Sequence, residues 1–74
     1  MSEQLRNQIN YTVVCVNEFA RRFDINSVAA FEYLKKHKGL EFLGEHYDVE
    51  HCLSLADAID DLVLICSQNG GSLS

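Results

Sequence analysis

Apolar residues in the first third of the chain recur at steps of three and four: Leu5, Ile9, Thr12, Val13, Val16, Phe19, Ala20 and Phe23. That is the period of one helix face, and it predicts a long first helix over about 3–23. Tyr11, Val14 and Cys15 widen the face beyond a single stripe. The middle of such a helix is either central to the core or covered by a second subunit. DINS (24–27) then interrupts the pattern with residues that cap helices well, Asp24 or Asn26 accepting from the first free amides of the next helix. That helix, about Ser27 to His37, is expected to bury Val28, Phe31 and Leu34. Lys35, Lys36 and His37 lie in its last turn, where positive charge suits the helix dipole. Gly39 is expected to end it as a left-handed residue.

A short third helix is predicted from about Leu40 to Tyr47, with Leu40, Leu43 and Tyr47 on one side. Residues 48–53 have no clear period and read as a connection. Ser54 opens the last helix with a capping box, its hydroxyl meeting the Asp57 amide while the Asp57 carboxylate reaches back. Leu55, Ala58, Ile59, Leu62, Ile65 and Cys66 form its apolar face, and Gly70 and Gly71 end it. No alternating run bounded by turn residues suggests a strand. The expected fold is all-α, a compact bundle of about four helices, as a single helical domain over 1–70 with a flexible C-terminal tail over 71–74.

Length sharpens this picture. At 74 residues there is room for one core, and a lone core of that size barely outweighs the entropy lost on folding unless a staple or partner helps. Three cysteines cannot all pair, no CxxC spacing occurs, and no secretory segment precedes the first helix, so a cytoplasmic protein without disulfides is expected. The longest apolar runs, VVCV and LVLIC, fall far below the roughly 20 residues that cross a bilayer. Without a covalent staple, a homodimer is expected.

Charge is divided unevenly beneath the net value of −5. Residues 1–38 hold all six Lys and Arg against four acids, a balance of +2. Residues 39–74 hold seven acids and no Lys or Arg, a balance of −7. The acidic half repels phosphate backbones and attracts basic protein surfaces. Glu50, Asp57, Asp60 and Asp61 are therefore candidate contacts for a basic partner. The carboxylates of DAIDDL are too few on one helix face to satisfy a divalent cation.

HYDVEHC (46–52) places His46, His51 and Cys52 together, and all three are acceptable zinc ligands, with Cys66 as a fourth if the last helix folds back. A small metal-binding domain is thus one alternative. The two histidines stand five apart, however, which on a regular helix turns them about 140° from each other. As a nucleophile, Cys52 would need His51 or His46 as base, and adjacent side chains rarely meet in that geometry. Neither a catalytic residue nor a cofactor is expected, and the reading is non-enzymatic.

A second alternative is DNA binding. EFARRFDINSVAAFEYL (18–34), within a span of 18–37, resembles a helix-turn-helix unit: Ala20 is small where the helices close, and Asp24 takes the place usually given to Gly. Arg21, Arg22, Lys35, Lys36 and Lys38 would supply its phosphate contacts. The expected outward residues early in its second helix include no Arg or Lys to read bases, and the acidic half opposes nucleic acid.

The run YLKKHKGLEFL, then HYDVEH, then SLADAIDDL, closed by IC and GG, resembles a small bacterial family known as domain of unknown function 3791. YTVVCVNEFARRFDI (11–25) also fits. Tyr33, His46, Tyr47, His51, Ser54, Asp57, Asp60 and Asp61 occupy family-typical positions, whereas Cys52 stands where Thr is expected. The family has no established activity. The resemblance implies genetic neighbours similar to ADP-ribosyltransferase toxins, and hence an antitoxin-like or accessory partner role.

Overall fold

A computed structural model describes residues 2–73, and among these every regular element is helical. Helix α1 (Glu3–Phe23) starts where the Ser2 hydroxyl accepts from the Leu5 amide at 3.1 Å. Its 21 residues, at about 1.5 Å each, account for most of the 35 Å long axis. Asp24 ends it in the left-handed conformation (φ 54°, ψ 47°), as the turn requires, and its amide returns to the α1 carbonyls. Asn26, rather than Asp24, caps α2 (Ser27–Lys36), its Oδ1 accepting from the Ala29 amide at 2.8 Å. Loss of that bond leaves an amide unsatisfied, so Asn26→Ala is expected to lower stability by about 1 kcal/mol in urea titration.

The face that α2 buries differs from the one expected. Val28 is 73 % exposed and Phe31 42 % exposed, while Ala30 and Leu34 are fully buried and Tyr33 is half-buried. The helix is rotated so that an alanine, not the larger residues, enters the core. Ala20 is buried on α1, the helix joined to α2 by the three-residue turn. Small residues there let the pair close, and a valine or phenylalanine would hold it apart.

The left-handed residue before α3 (Gly39–Glu45) is Lys38 (φ 69°), not Gly39. Gly39 begins α3 and is buried, and its small size has a different cause. A Cβ there would lie 2.8 Å from Leu34 Cδ2 and 3.2 Å from Cys66 Sγ. The helix expected to reach Tyr47 breaks at His46, and a one-turn helix, α4 (Tyr47–Glu50), occupies part of the expected connection. The break lets Tyr47 meet Tyr11 edge-on at 5.6 Å and carries Glu50 into the interior.

Helix α5 (Leu55–Gln68) is capped by the Ser54 hydroxyl, which accepts from the Asp57 amide at 3.1 Å. Its Ala58, Ile59, Leu62 and Cys66 are buried against Cys15, Val16, Phe19 and Ala20 of α1, Leu34 of α2 and Leu43 of α3. Phe19 stacks on Tyr33 at 5.6 Å and leans on Phe23 at 4.8 Å. Gly70 (φ 88°) turns the chain after α5, and the Gly71 amide returns to the Cys66 carbonyl at 2.8 Å, closing a Schellman turn. Residues 71–73, expected as a flexible tail, lie against the core: Leu73 packs on it and donates its amide to the Tyr33 hydroxyl at 3.1 Å. Gly71 passes so close that a Cβ would sit 2.2 Å from that hydroxyl. Ser74, the last residue of the expected tail, lies outside the described residues.

Candidate functional site

In HYDVEHC the short α4 separates His46 from His51 and Cys52. His46 turns its ring onto Phe42 at 4.9 Å. His51 stacks flat on Tyr47 at 4.5 Å, and its Nδ1 lies 2.6 Å from the Tyr47 carbonyl. Nδ1–H therefore donates to that oxygen, leaving Nε2 to face the Cys52 sulfur at 3.9 Å. The Cys52 thiol is 3.4 Å from the Asp48 carbonyl, its other partner. A backbone carbonyl thus orients the histidine beside Cys52, although adjacent side chains rarely meet in this way. Both side chains are exposed. Cys66 is elsewhere, buried beside Gly39, and burial pushes its thiol up to about 11. Among the described residues no group of three or more His, Cys, Asp or Glu side chains is placed to hold a metal ion.

The five candidate phosphate contacts do not form one free patch. Arg21 is paired with Glu18, which holds that carboxyl below its usual range. Arg22 reaches Asp60 at 2.6 Å and the Ala56 carbonyl at 3.3 Å, and Lys38 stands 3.9 Å from Glu41. Lys35 and Lys36 remain at the end of α2. The exposed residues earlier on that helix include apolar Val28 and Phe31.

The four candidate acidic contacts are also divided. Asp57 and Asp60 are exposed on α5, although Asp60 is engaged by Arg22. Asp61 is half-buried, and Glu50 is only 4 % exposed and cannot touch a partner. Glu50 faces inward from the end of α4, with Oε1 buried and without a hydrogen-bond partner among the described residues. The groups around it are Asp61 of α5 and Tyr11 and Cys15 of α1. Burial first, and then the hydrogen-bonded, negative Asp61, push the Glu50 carboxyl up to about 7. Tyr11 donates to the Glu50 carbonyl at 3.0 Å, and burial pushes its hydroxyl up as well. These groups form a proton-holding cluster that fastens α4 to α1 and α5.

Two carboxylates that sequence reasoning passed over lie in a better place. Glu41 and Glu45, four apart on α3, line a shallow pocket of about 210 Å³ with Phe42, Ile65, Lys38 and Asn69. Lys38 on the same rim faces Glu41 at 3.9 Å. With Glu45 beside the apolar floor, the pocket suits a second long basic side chain, which lays its methylenes on apolar surface and keeps its charge at the rim. The signal in the sequence was the spacing Glu41-Phe42-Glu45, but Ile65 comes from a distant part of the chain.

No described helix is long and apolar enough to cross a membrane. No curated protein and no solved structure matches this chain. The family described as "Protein of unknown function (DUF3791)" matches residues 10–69, which include every element from the second turn of α1 to the end of α5. The chain belongs to that family.

Proposed function

We propose that the protein is a non-enzymatic interaction module that binds a basic protein surface through its acidic half, acting as an antitoxin-like or accessory partner of an ADP-ribosyltransferase-like toxin. The observation that carries this reading is the α3–α5 pocket, where Glu41 and Glu45 border Phe42 and Ile65. Asp48 and Asp57 are exposed on the same acidic half of the sequence, which holds no Lys or Arg. A site that binds a dinucleotide or a nucleic acid is positive. A field of carboxylates seated on such a site blocks it by charge and by bulk, and it steers the encounter as well.

The test is co-expression with the product of the adjacent gene, followed by co-purification at low and high salt. A complex is expected, weakened at least tenfold by Glu41→Lys with Glu45→Lys and weakened also by raised ionic strength. A neighbour that stays soluble, active and unbound in the presence of this protein would remove the proposal.

A further inference from the structure

A second surface has no counterpart in that reading. Leu5, Ile9 and Val13, at 48, 44 and 52 % exposure, run along one side of α1, and Phe31 of α2 stands beside them. With Leu40 and Leu43 of α3 they line a groove of about 320 Å³. Its wall is open at Gly44, where an added Cβ would meet nothing within 4 Å. Residues 3–10 of α1, which include the groove-lining Leu5 and Ile9, are exposed except for the half-buried Gln8. The molecule therefore carries both an apolar groove and an amphipathic helical segment that its own fold leaves uncovered.

We propose that the occupant of this groove is α1 of a second copy, packed across a two-fold axis so that each chain supplies one helix and one groove. Helix-in-groove recognition calls for apolar anchors at steps of three and four on the entering helix, and Leu5, Ile9 and Val13 are spaced four apart. Charge agrees. The entering segment carries one acid and one base, Glu3 and Arg6, and none of the residues lining the groove is charged, so the contact buries no net charge. Area agrees too. The exposed parts of Leu5, Ile9, Val13 and Phe31, with those of half-buried Leu40 and Tyr47, come to roughly 400 Å² on each copy. A stable interface buries about 800 Å² per partner, of which somewhat more than half is apolar. A two-fold contact uses this surface twice, each α1 serving both as a wall of its own groove and as the occupant of the partner's.

Sedimentation equilibrium under reducing conditions, from micromolar to near-millimolar protein, tests the assignment. The expected mass at the upper end is twice the 8.4 kDa of one chain. Two variants probe the two halves of the contact. Ile9→Glu places a charge on a side chain already partly exposed, and Gly44→Leu fills open space in the groove while favouring the α3 helix. Both are expected to keep the helical circular dichroism of the wild type and to weaken self-association at least tenfold. Leu64→Glu, on an exposed position of α5 away from the groove, is expected to leave it unchanged. A monomeric wild type at the highest concentration overturns the proposal, as does a dimer that survives both groove variants. Neither result bears on binding through Glu41 and Glu45, which lies on a different surface.

Discussion

Phe19→Ala is expected to destabilise the protein by about 3–5 kcal/mol, the cost of emptying a large buried aromatic site. Phe19 has no exposed surface, and its ring touches Phe23 on its own helix and Tyr33 on α2. Tyr33 in turn meets His37 at 4.5 Å and holds the Leu73 amide, so the cavity would loosen the turn, the end of α2 and the docked tail together. A domain of 74 residues has a total stability of roughly 4–11 kcal/mol by the usual per-residue scale. The variant should therefore lose at least about a quarter of the total, with a thermal midpoint lower by more than about 10 °C. Val28→Ala removes methyl groups from a position that is mostly exposed, and its effect should stay within about 0.5 kcal/mol. Urea titration followed by circular dichroism checks both. A loss above about 1.5 kcal/mol for Val28→Ala would mean that α2 buries the face its sequence pattern favours, and not the observed one.

That contrast shows where the sequence was readable and where it was not. The long α1 and the face of α5 follow from period alone, because large apolar residues recur there without competition. The turn was legible for the same local reason: Asp24 tolerates the left-handed conformation and Asn26 is a good cap, and both use only neighbouring backbone. On α2 the pattern offered Val28, Phe31 and Leu34 as one face, yet the helix closes on Ala30 and Leu34. Apolar spacing says which faces are available, while the distance between α1 and α2 decides which volume fits. Gly39 failed similarly. A left-handed turn and a close approach both select glycine, and the distant Cys66 that distinguishes them is invisible at Gly39 itself.

The candidate site was legible only as a charge balance. Seven acids over 39–74 pointed to the half of the chain that holds the α3–α5 pocket, but not to the individual carboxylates. DAIDDL drew attention through density, yet Asp60 is held by Arg22 and Asp61 faces Glu50. Glu41 and Glu45 acquire their apolar floor from Ile65 on α5, and no local signal announces a neighbour twenty residues away. Glu50 was the least readable of all, since a charged residue in an aperiodic segment gives no hint of burial.

That burial has a consequence in solution. Stability is expected to fall as pH rises from about 5 to 8, and Glu50→Gln is expected to remove much of that fall. In the unfolded chain Glu50 ionises near its ordinary value of 4.5, whereas in the folded protein it keeps its proton up to about 7. Between those values the native state binds more protons than the unfolded state, so the slope of unfolding free energy against pH is negative there. The favourable contribution is complete below pH 4.5 and is lost as pH passes 7. A span of that width corresponds to about 2–3 kcal/mol after allowance for relaxation around the new charge. For a domain of this size that is a drop of roughly 10 °C or more in the thermal midpoint.

The groups facing Glu50 make the sign firm. Asp61 is negative, and Tyr11 and Cys15 are neutral acids whose protons burial holds in place, so none of the three offsets the charge when the carboxyl ionises. Glutamine keeps the shape and a donor for Asp61 but cannot ionise. Its thermal midpoint should match the wild type near pH 5 and exceed it at pH 8. Every other ionisable side chain is common to both proteins, so the difference between the two profiles reports the coupled Glu50 and Asp61 carboxyls. Parallel profiles would show that α4 carries its carboxylate ionised without penalty, and the proton-holding role of the cluster would then fail. A divergence that grows above pH 6, accompanied by faster amide exchange over residues 47–53, would place the loosening at the junction of α4 with α1 and α5.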